Sequence, residues 1–441
     1  MSRNYPSQIA LIAALGGFLF GFEVSVISGA EQVIQKLWTL DSFWLGFTVA
    51  SSLIGTVLGS LIIGKPAQQY GRKPILFLIA LLYLVSAIGC ALGSSWSLFV
   101  LFRFLGGIAV GASSVVGPMY ISEIAPAKTR GRLAGMFQLN IVAGILAAYL
   151  TNYLLAGYGG EDSWRYMLAV MGVPAIVFFV LLFFIPESPR WLAVTGKIAE
   201  AQDVFRKLGQ EEALQQVLDD HHKQNNGIKE NLFNGKYNKP ILYAMLLAMF
   251  NQLSGINAIL YYAPRVFEMA GFDRADAFQQ SVFIGLANFV FTILAMTVID
   301  RFGRKKLLLI GAGGMTVFLI LTAVNLMGVS AANPLTLVYL VGFIAFFAFS
   351  QGAVIWVFIA EIFPNAVRAQ GAALGSFTHW IMAAIISWVF PVIVEGSPMG
   401  GVYSFVFYGV MMLLSFLFIW RVMPETKGKS LEQIQQELGI K

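Results

Sequence analysis

SEIAPAKTRG, residues 122–131, returns as AEIFPNAVRA, residues 360–369, and that recurrence decides how the chain is built. Two further motifs recur around it: QQYGRK (68–73) as DRFGRK (300–305), and PES (186–188) as PET (424–426). The order is the same in both copies. Glu123 to Pro186 is 63 residues and Glu361 to Pro424 is also 63, while Gly71 to Glu123 is 52 against 58 for Gly303 to Glu361. Three motifs in one order at near-equal spacing identify an internal duplication. Parallel repeats of this kind place two similar bundles about an axis along the membrane normal, with a substrate site near mid-membrane between them.

The medium is set by composition. Hydrophobic residues make up 58% and charged residues 12% of the 441, and mean hydropathy is +0.74, far from a soluble average. A helix needs roughly 20 apolar residues to cross a bilayer core. Such runs occur at about 8–30, 44–64, 74–93, 98–121, 133–156 and 165–185, then at 240–262, 279–299, 307–328, 335–361, 367–394 and 401–423. The expected fold class is therefore an all-α membrane protein with twelve transmembrane helices in two six-helix halves. Residues 1–185 form the first bundle, 186–239 a cytoplasmic linker, 240–423 the second bundle and 424–441 a cytoplasmic tail. In the linker, Ile198, Ala201, Val204, Phe205 and Leu208 share one face of KIAEAQDVFRKLG, which suggests short surface helices. The more polar His221 to Asn234 reads equally well as plain linker.

Charge placement gives orientation. With the N-terminus in the cytoplasm, the inner segments hold every Lys and Arg except Lys36, Arg103, Arg165, Arg265 and Arg274. Both termini should then be cytoplasmic, and the net charge of +6 reflects topology, with no nucleic-acid partner implied. The first apolar run is too long for a cleaved signal. The chain has no Asn-x-Ser/Thr sequon and short outer loops, which favours a bacterial cell (inner) membrane. Cys90 reads as a packing residue. Trp38, Trp44, Trp164 and Trp420 lie near span ends and read as interfacial belt residues.

Each duplicated motif falls at a cytoplasmic helix end and combines a carboxylate, an arginine and a turn-forming Gly or Pro. Charged hydrogen bonds there suit a separable latch between the halves, an inner gate that is held shut and breaks when it opens. The candidates are Arg72, Glu123, Arg130, Glu187 and Arg190 in the first half, and Asp300, Arg304, Glu361 and Arg368 in the second. The plainer alternative is positive-inside anchoring and helix capping. In NQLSGIN (251–257), Gly255 permits local unwinding, so that Gln252 and Asn257 can point into a cavity. A buried amide in a span is costly unless paired. Neutral amides beside an aromatic plate suit a sugar, whose hydroxyls both donate and accept and whose ring has an apolar face.

RFLGGIAVG (103–111), PMYISEIAPAKTRG (118–131), PESPRWL (186–192), NQLSGINAILYYAP (251–264), DRFGRK, WVFIAEIFPNAVR (356–368) and PETKGKSLEQI (424–434) together resemble the sugar porter family of the major facilitator superfamily, over nearly the whole chain. The resemblance implies the major facilitator fold and alternating access. It implies that Gln138, Gln252, Asn257 and Asn288 hydrogen-bond a sugar, that Trp356 and Trp380 lie against its ring, that Phe20 closes from the first span, and that Tyr261 and Tyr262 form the outer gate. For each aromatic the alternative is packing. Three departures stand out. Asn251 replaces a usual Gln, Gln68 and Gln69 replace the Asp and basic residue of the first-half motif, and His379 precedes Trp380 where Gln or Asn is common; Asn251 and His379 are kept as substrate contacts.

The position of Glu23, within FLFGFEVSVISG (18–29), is typically Asp in the family's proton symporters and Asn in its facilitators, and its implied partner is Arg103. Pairing lowers a carboxyl pKa and isolation raises it. Glu23 freed and wet would take a proton, and Glu23 returned to Arg103 would release it. The alternative is a permanent structural ion pair. The expected function is import of a monosaccharide, hexose or pentose, by proton symport, with a proton-independent facilitator as the alternative within the fold. A non-transporting sugar sensor is the alternative of another class; it should carry a long signalling tail, whereas 18 residues follow Met423. No catalytic residues, metal ligands or cofactor are expected. The implied partners are the sugar, the proton and the lipid bilayer, with the chain working as a monomer.

Overall fold

A computed structural model describes residues 5–126, 129–225, 230–328, 332–364, 366–427, 429 and 431–438. Twelve of its helices are long and apolar enough to cross a membrane: Tyr5–Gly29, Ser42–Ile62, Arg72–Leu92, Trp96–Ile124, Arg130–Leu155, Gly160–Phe184, Asn238–Tyr261, Arg274–Thr297, Arg304–Leu326, Leu335–Ile359, Arg368–Gly396 and Gly400–Arg421. No strand occurs among the described residues. Helices are what the medium allows, because a spanning segment must satisfy its own backbone polar groups. Leu61, Ile62, Val173, Phe183 and Phe184 stay exposed on these helices, an apolar surface that lipid covers at no cost. The chain is a multi-pass membrane protein.

Glycine lets some spans touch at backbone distance. A Cβ on Gly21 would fall 1.8 Å from the Ile141 carbonyl oxygen, and one on Gly144 would fall 2.0 Å from that of Phe18. The first and fifth spans thus interlock reciprocally, the small-residue packing that replaces the hydrophobic effect inside a bilayer.

Two compact units are present. One comprises Met1–Val24, Ile54–Ala148 and Arg165–Ile228; the other comprises Ser25–Leu53, Tyr149–Trp164 and Lys229–Lys441. Segments from the first half of the sequence therefore belong to the second unit, and specific bonds hold them there. Tyr149 Oη donates to the Leu260 carbonyl at 2.6 Å, and Trp388 Nε1 donates to that of Phe43 at 3.1 Å. Trp164, expected in an interfacial belt, is instead 1% exposed and packs edge-on against Trp38 with ring centroids 6.0 Å apart. Its indole fills a gap between helix ends within this unit; Trp44 and Trp420 are exposed as expected.

The linker forms helices Pro189–Val194, Ile198–Lys207 and Ala213–Asn225. Ala201, Val204, Phe205 and Leu208 are buried, whereas Ile198, expected on the same face, is 38% exposed at the helix start. The third helix runs through His221, so the first part of the stretch read as possible linker is helical; residues 226–229 lie outside the description. The tail helix Leu431–Leu438 buries Ile434 and Leu438 against Leu232, Tyr237, Ile419 and Met423.

Candidate functional site

Glu23 sits near the end of the helix Tyr5–Val26, and Arg103 projects from the fourth span. Arg103 Nη1 donates to the Glu23 carboxylate and also to the Glu23 main-chain oxygen at 3.3 Å. Glu23 is 1% exposed and Arg103 0%. Gly106 makes room, since a Cβ there would lie 2.8 Å from Glu23 Oε1 and 2.3 Å from Ser86 Oγ. Arg103 Nε and Nη2 find no partner among the described residues. An ion pair so enclosed contributes little net stability, because desolvation opposes attraction; loss of either partner strands the other. A proton taken up by Glu23 in this enclosure would leave the Arg103 charge buried without a counter-ion, so proton uptake goes with separation of the pair.

The seventh span is broken twice. Gly255 takes φ +81, where a Cβ would fall 2.3 Å from the Tyr408 ring, and ends Asn238–Leu253. Tyr262 interrupts the helix again between Ile256–Tyr261 and Ala263–Met269. At the first break the amides join hands. Asn257 Nδ2 donates to Gln252 Oε1 at 2.9 Å, Gln252 Nε2 donates to Asn251 Oδ1 at 3.0 Å, and Asn251 Nδ2 donates to the Gln351 carbonyl at 3.3 Å. Gln252 Nε2 also lies 3.0 Å from His379 Nε2. The His379 ring is wedged between Trp356 and Trp380, at centroid distances of 4.8 and 4.9 Å. Asn251, Gln252, Asn257, His379 and Trp380 are buried, while Trp356 shows a partly open indole. Asn288 is buried on the eighth span. Gln138 is half-buried on the fifth and Phe20 buried on the first, both in the other unit. Tyr261 and Tyr262 are fully buried, Tyr262 Oη donating to the Ser387 carbonyl at 2.9 Å.

At the basic-loop ends, each half repeats one construction. Gly71 at φ +99 and Gly303 at φ +87 turn the chain into the helices that start at Arg72 and Arg304. Glu187 accepts from the Arg72 and Lys73 amides at 2.9 and 3.1 Å; Glu425 accepts from those of Arg304 and Lys305 at 3.0 and 3.1 Å. A carboxylate at a helix N-terminus satisfies orphan N–H groups and complements the dipole. Burial pushes the Glu187 carboxyl up from its ordinary value, with the Ser188, Arg72 and Lys73 amides opposing. Arg72 also grips Glu123 with both arms, at 2.9 and 2.7 Å, and Arg304 reaches Glu361 at 3.1 Å while Thr426 Oγ1 donates to its other oxygen at 2.6 Å. Each ion pair lies within its own unit, Arg72–Glu123 in the first and Arg304–Glu361 in the second, and neither joins one half of the chain to the other. Arg130 and Arg368, expected beside these glutamates, make no ion pair among the described residues; Arg368 donates to the Phe363 carbonyl at 3.3 Å. Arg190 lies on the first linker helix, and the Asp300 side chain falls outside the described residues. Glu425 was not singled out from the sequence, although its match to Glu187 in the PES/PET repeat marks it.

A second charged cluster was also missed. Arg265 donates to Glu31 at 3.0 and 2.7 Å, to Glu395 at 2.6 Å and to Gln35 Oε1 at 2.7 Å. Gln35 Nε2 reaches Glu395 at 2.8 Å, and Gln32 Nε2 reaches Glu268 at 2.7 Å. Burial pushes the Glu31 carboxyl up, Glu268 and Glu395 adding to it and Arg265 opposing. The cluster ties the helix after the first span to the end of the seventh and to the eleventh, within one unit.

Comparison with known proteins follows this geometry. Residues 9–438 match the family model described as sugar (and other) transporter. The chain belongs to that family. It is 36% identical to the arabinose-proton symporter of Bacillus subtilis (strain 168), covering 99% of this chain and 95% of that one. It is also 36% identical to the D-xylose-proton symporter of Escherichia coli (strain K12), over 98% of this chain and 96% of the relative. The inward-open structure of the xylose transporter XylE from E. coli superposes with a TM-score of 0.87 at 35% identity, covering 98% of this chain and 100% of XylE.

Proposed function

We propose that the chain imports a monosaccharide, a hexose or a pentose, together with a proton, by alternating access. The observation that carries the proton is the buried Glu23–Arg103 pair: a carboxylate held by an arginine at 1% exposure changes its affinity for a proton when that arginine moves away. Support for the sugar comes from the amide chain Asn257–Gln252–Asn251 beside His379, Trp356 and Trp380, and from relatives named for arabinose and xylose. Asn288 adds an amide from the eighth span, and Gln138 and Phe20 are further sugar contacts on the strength of the family resemblance alone. Tyr261 and Tyr262 form the outer gate with the Arg265 cluster behind them. Arg72, Glu123, Arg130, Glu187, Arg190, Asp300, Arg304, Glu361 and Arg368 serve the inner gate, joined by Glu425. The basic-loop end faces the cytoplasm of a bacterial cell, with both termini inside, and the carrier works as a monomer in the lipid bilayer.

The complete enclosure of Glu23 and Arg103 also suits a second reading, a facilitator in which the pair is permanent. Uptake of labelled D-xylose, L-arabinose and D-glucose into liposomes, with and without an inward proton gradient, separates the two. The expected result is accumulation that needs the gradient and is lost in Glu23→Gln, with counterflow exchange retained. Equal uptake after collapse of the gradient would make the chain a facilitator.

A further inference from the structure

The tenth span is helical over Leu335–Phe349 and again over Gln351–Glu361, and the single residue between them, Ser350, sits at φ −122, ψ −86. Ser350 cannot serve the break with its own hydroxyl. Its Oγ donates to the Phe346 carbonyl at 2.6 Å and is pressed against Gly311, where a Cβ would fall 1.7 Å away. The Ala353 and Val354 amides share the Ser350 carbonyl, at 3.2 and 2.9 Å. Gln351, at the head of the second segment, is 0% exposed. Neither its Oε1 nor its Nε2 has a hydrogen-bond partner among the described residues. A buried amide left unpaired is unfavourable, and an apolar side chain of equal size would fill the space better.

The place of this amide in the fold suggests its use. The Gln351 carbonyl is the last acceptor of the chain that runs from Asn257 through Gln252 to Asn251. Within that chain Gln252 has little capacity to spare. Its Nε2 is shared between Asn251 Oδ1 and the His379 ring, and its Oε1 already accepts from Asn257. A sugar entering beside these groups brings hydroxyls that each need a donor and an acceptor. Gln351 supplies one of each, and it stands directly after the non-helical joint at Ser350.

We propose that Gln351 is a specificity-determining residue for the transported sugar, its side-chain amide pairing with one sugar hydroxyl when the site beside Asn251 and Gln252 is filled. The proposal rests on the reading of those amides as the sugar site. A site built to bond a hydroxyl discriminates against the analogue that lacks it.

The test measures binding to the purified full-length protein. The probes are whichever of D-xylose, L-arabinose and D-glucose binds the wild type most tightly, and its single-deoxy analogues. Gln351→Met keeps the volume and removes both polar atoms. Its expected effect is a roughly three- to tenfold weaker affinity for the parent sugar, the loss of one neutral hydrogen bond. One deoxy analogue should bind wild type and variant alike, and the sugar-free thermal midpoint should rise. Gln351→Leu serves the same purpose if the Met variant does not fold. Equal weakening toward the parent and every analogue would mean a structural role, and unchanged affinity for all of them would mean no role; either overturns the proposal. Gln252→Leu separates the two levels. If it abolishes binding while Gln351→Met changes nothing, this inference fails alone; if it too leaves binding intact, the amide site itself is misassigned.

Discussion

Removing the Arg265 guanidinium should loosen the bundle end where its cluster ties three helices together. The magnitude follows from the burial of each arm. Toward Glu395, whose side chain is 33% exposed, the bond is worth about 0–1 kcal/mol. Toward Glu31, whose side chain is 0% exposed and which is held by two arms at 3.0 and 2.7 Å, loss of the partner leaves a buried charge and costs about 3–5 kcal/mol. In Arg265→Gln the closed arrangement should therefore lose roughly two to four orders of magnitude in population relative to the open one. The assay is labelling of a reporter cysteine by a membrane-impermeant maleimide from outside. Ser387 suits the reporter: it is fully buried, its carbonyl holds Tyr262, and Cys90, the one native thiol, can be replaced by Ala. Labelling of Ser387→Cys should be slow with Arg265 present and faster by at least ~100-fold in Arg265→Gln. Arg265→Gln combined with Glu31→Gln should recover part of the closure, because no buried charge is then unpaired. Equal labelling with and without Arg265, in protein that retains its thermal midpoint, would refute the latch.

Other consequences are equally open to measurement. Enclosed Glu31 binds its proton more tightly than a solvated Glu, so the closed arrangement takes up a proton as pH falls. Closure is thus favoured below the ordinary Glu value and weakened as pH rises through the raised one; Ser387→Cys labelling should increase over that window, and Glu31→Gln, facing Arg265, Glu268, Glu395 and nearby Lys36, should flatten the profile. Arg103→Leu should lower stability by about 3–5 kcal/mol by stranding Glu23, and adding Glu23→Gln should restore much of it, read as thermal midpoints in detergent. Glu425→Ala should cost about 1–2 kcal/mol through the lost cap at Arg304 and Lys305, with Glu187→Ala a close match because the two halves repeat the construction. Gly21→Val should fold poorly, since a Cβ would fall 1.8 Å from a backbone oxygen that cannot move without its helix; its yield of folded protein checks this.

The residues that announced themselves in the sequence were those whose constraint is local. A span is a run of apolar side chains, and all twelve lie where those runs place them. The break at Gly255 was legible because a glycine between polar residues in a span has few other uses. The break at Ser350 was not, since neither Ser nor Gln forbids a helix, and its contact with Gly311 comes from another span. The Arg265 cluster was hidden for a similar reason. Glu31, Arg265 and Glu395 are far apart in sequence, and charges near a span end look like ordinary loop residues until the chain brings them together. Arg130 and Arg368 stand near the glutamates in sequence, yet it is Arg72 and Arg304 that reach those carboxylates, from a neighbouring helix. Trp164 misled because an indole near a span end satisfies the belt pattern whether it faces lipid or, as here, a neighbouring helix end.

The most direct measurement of proton coupling is a pH-sensitive dye trapped inside liposomes that carry the protein, read as the transported sugar is added outside with no gradient imposed. Internal acidification should follow sugar entry in the wild type and vanish in Glu23→Gln, which should still exchange sugar for sugar. Sugar entry in the wild type with no change in internal pH would contradict the role given to Glu23 and Arg103.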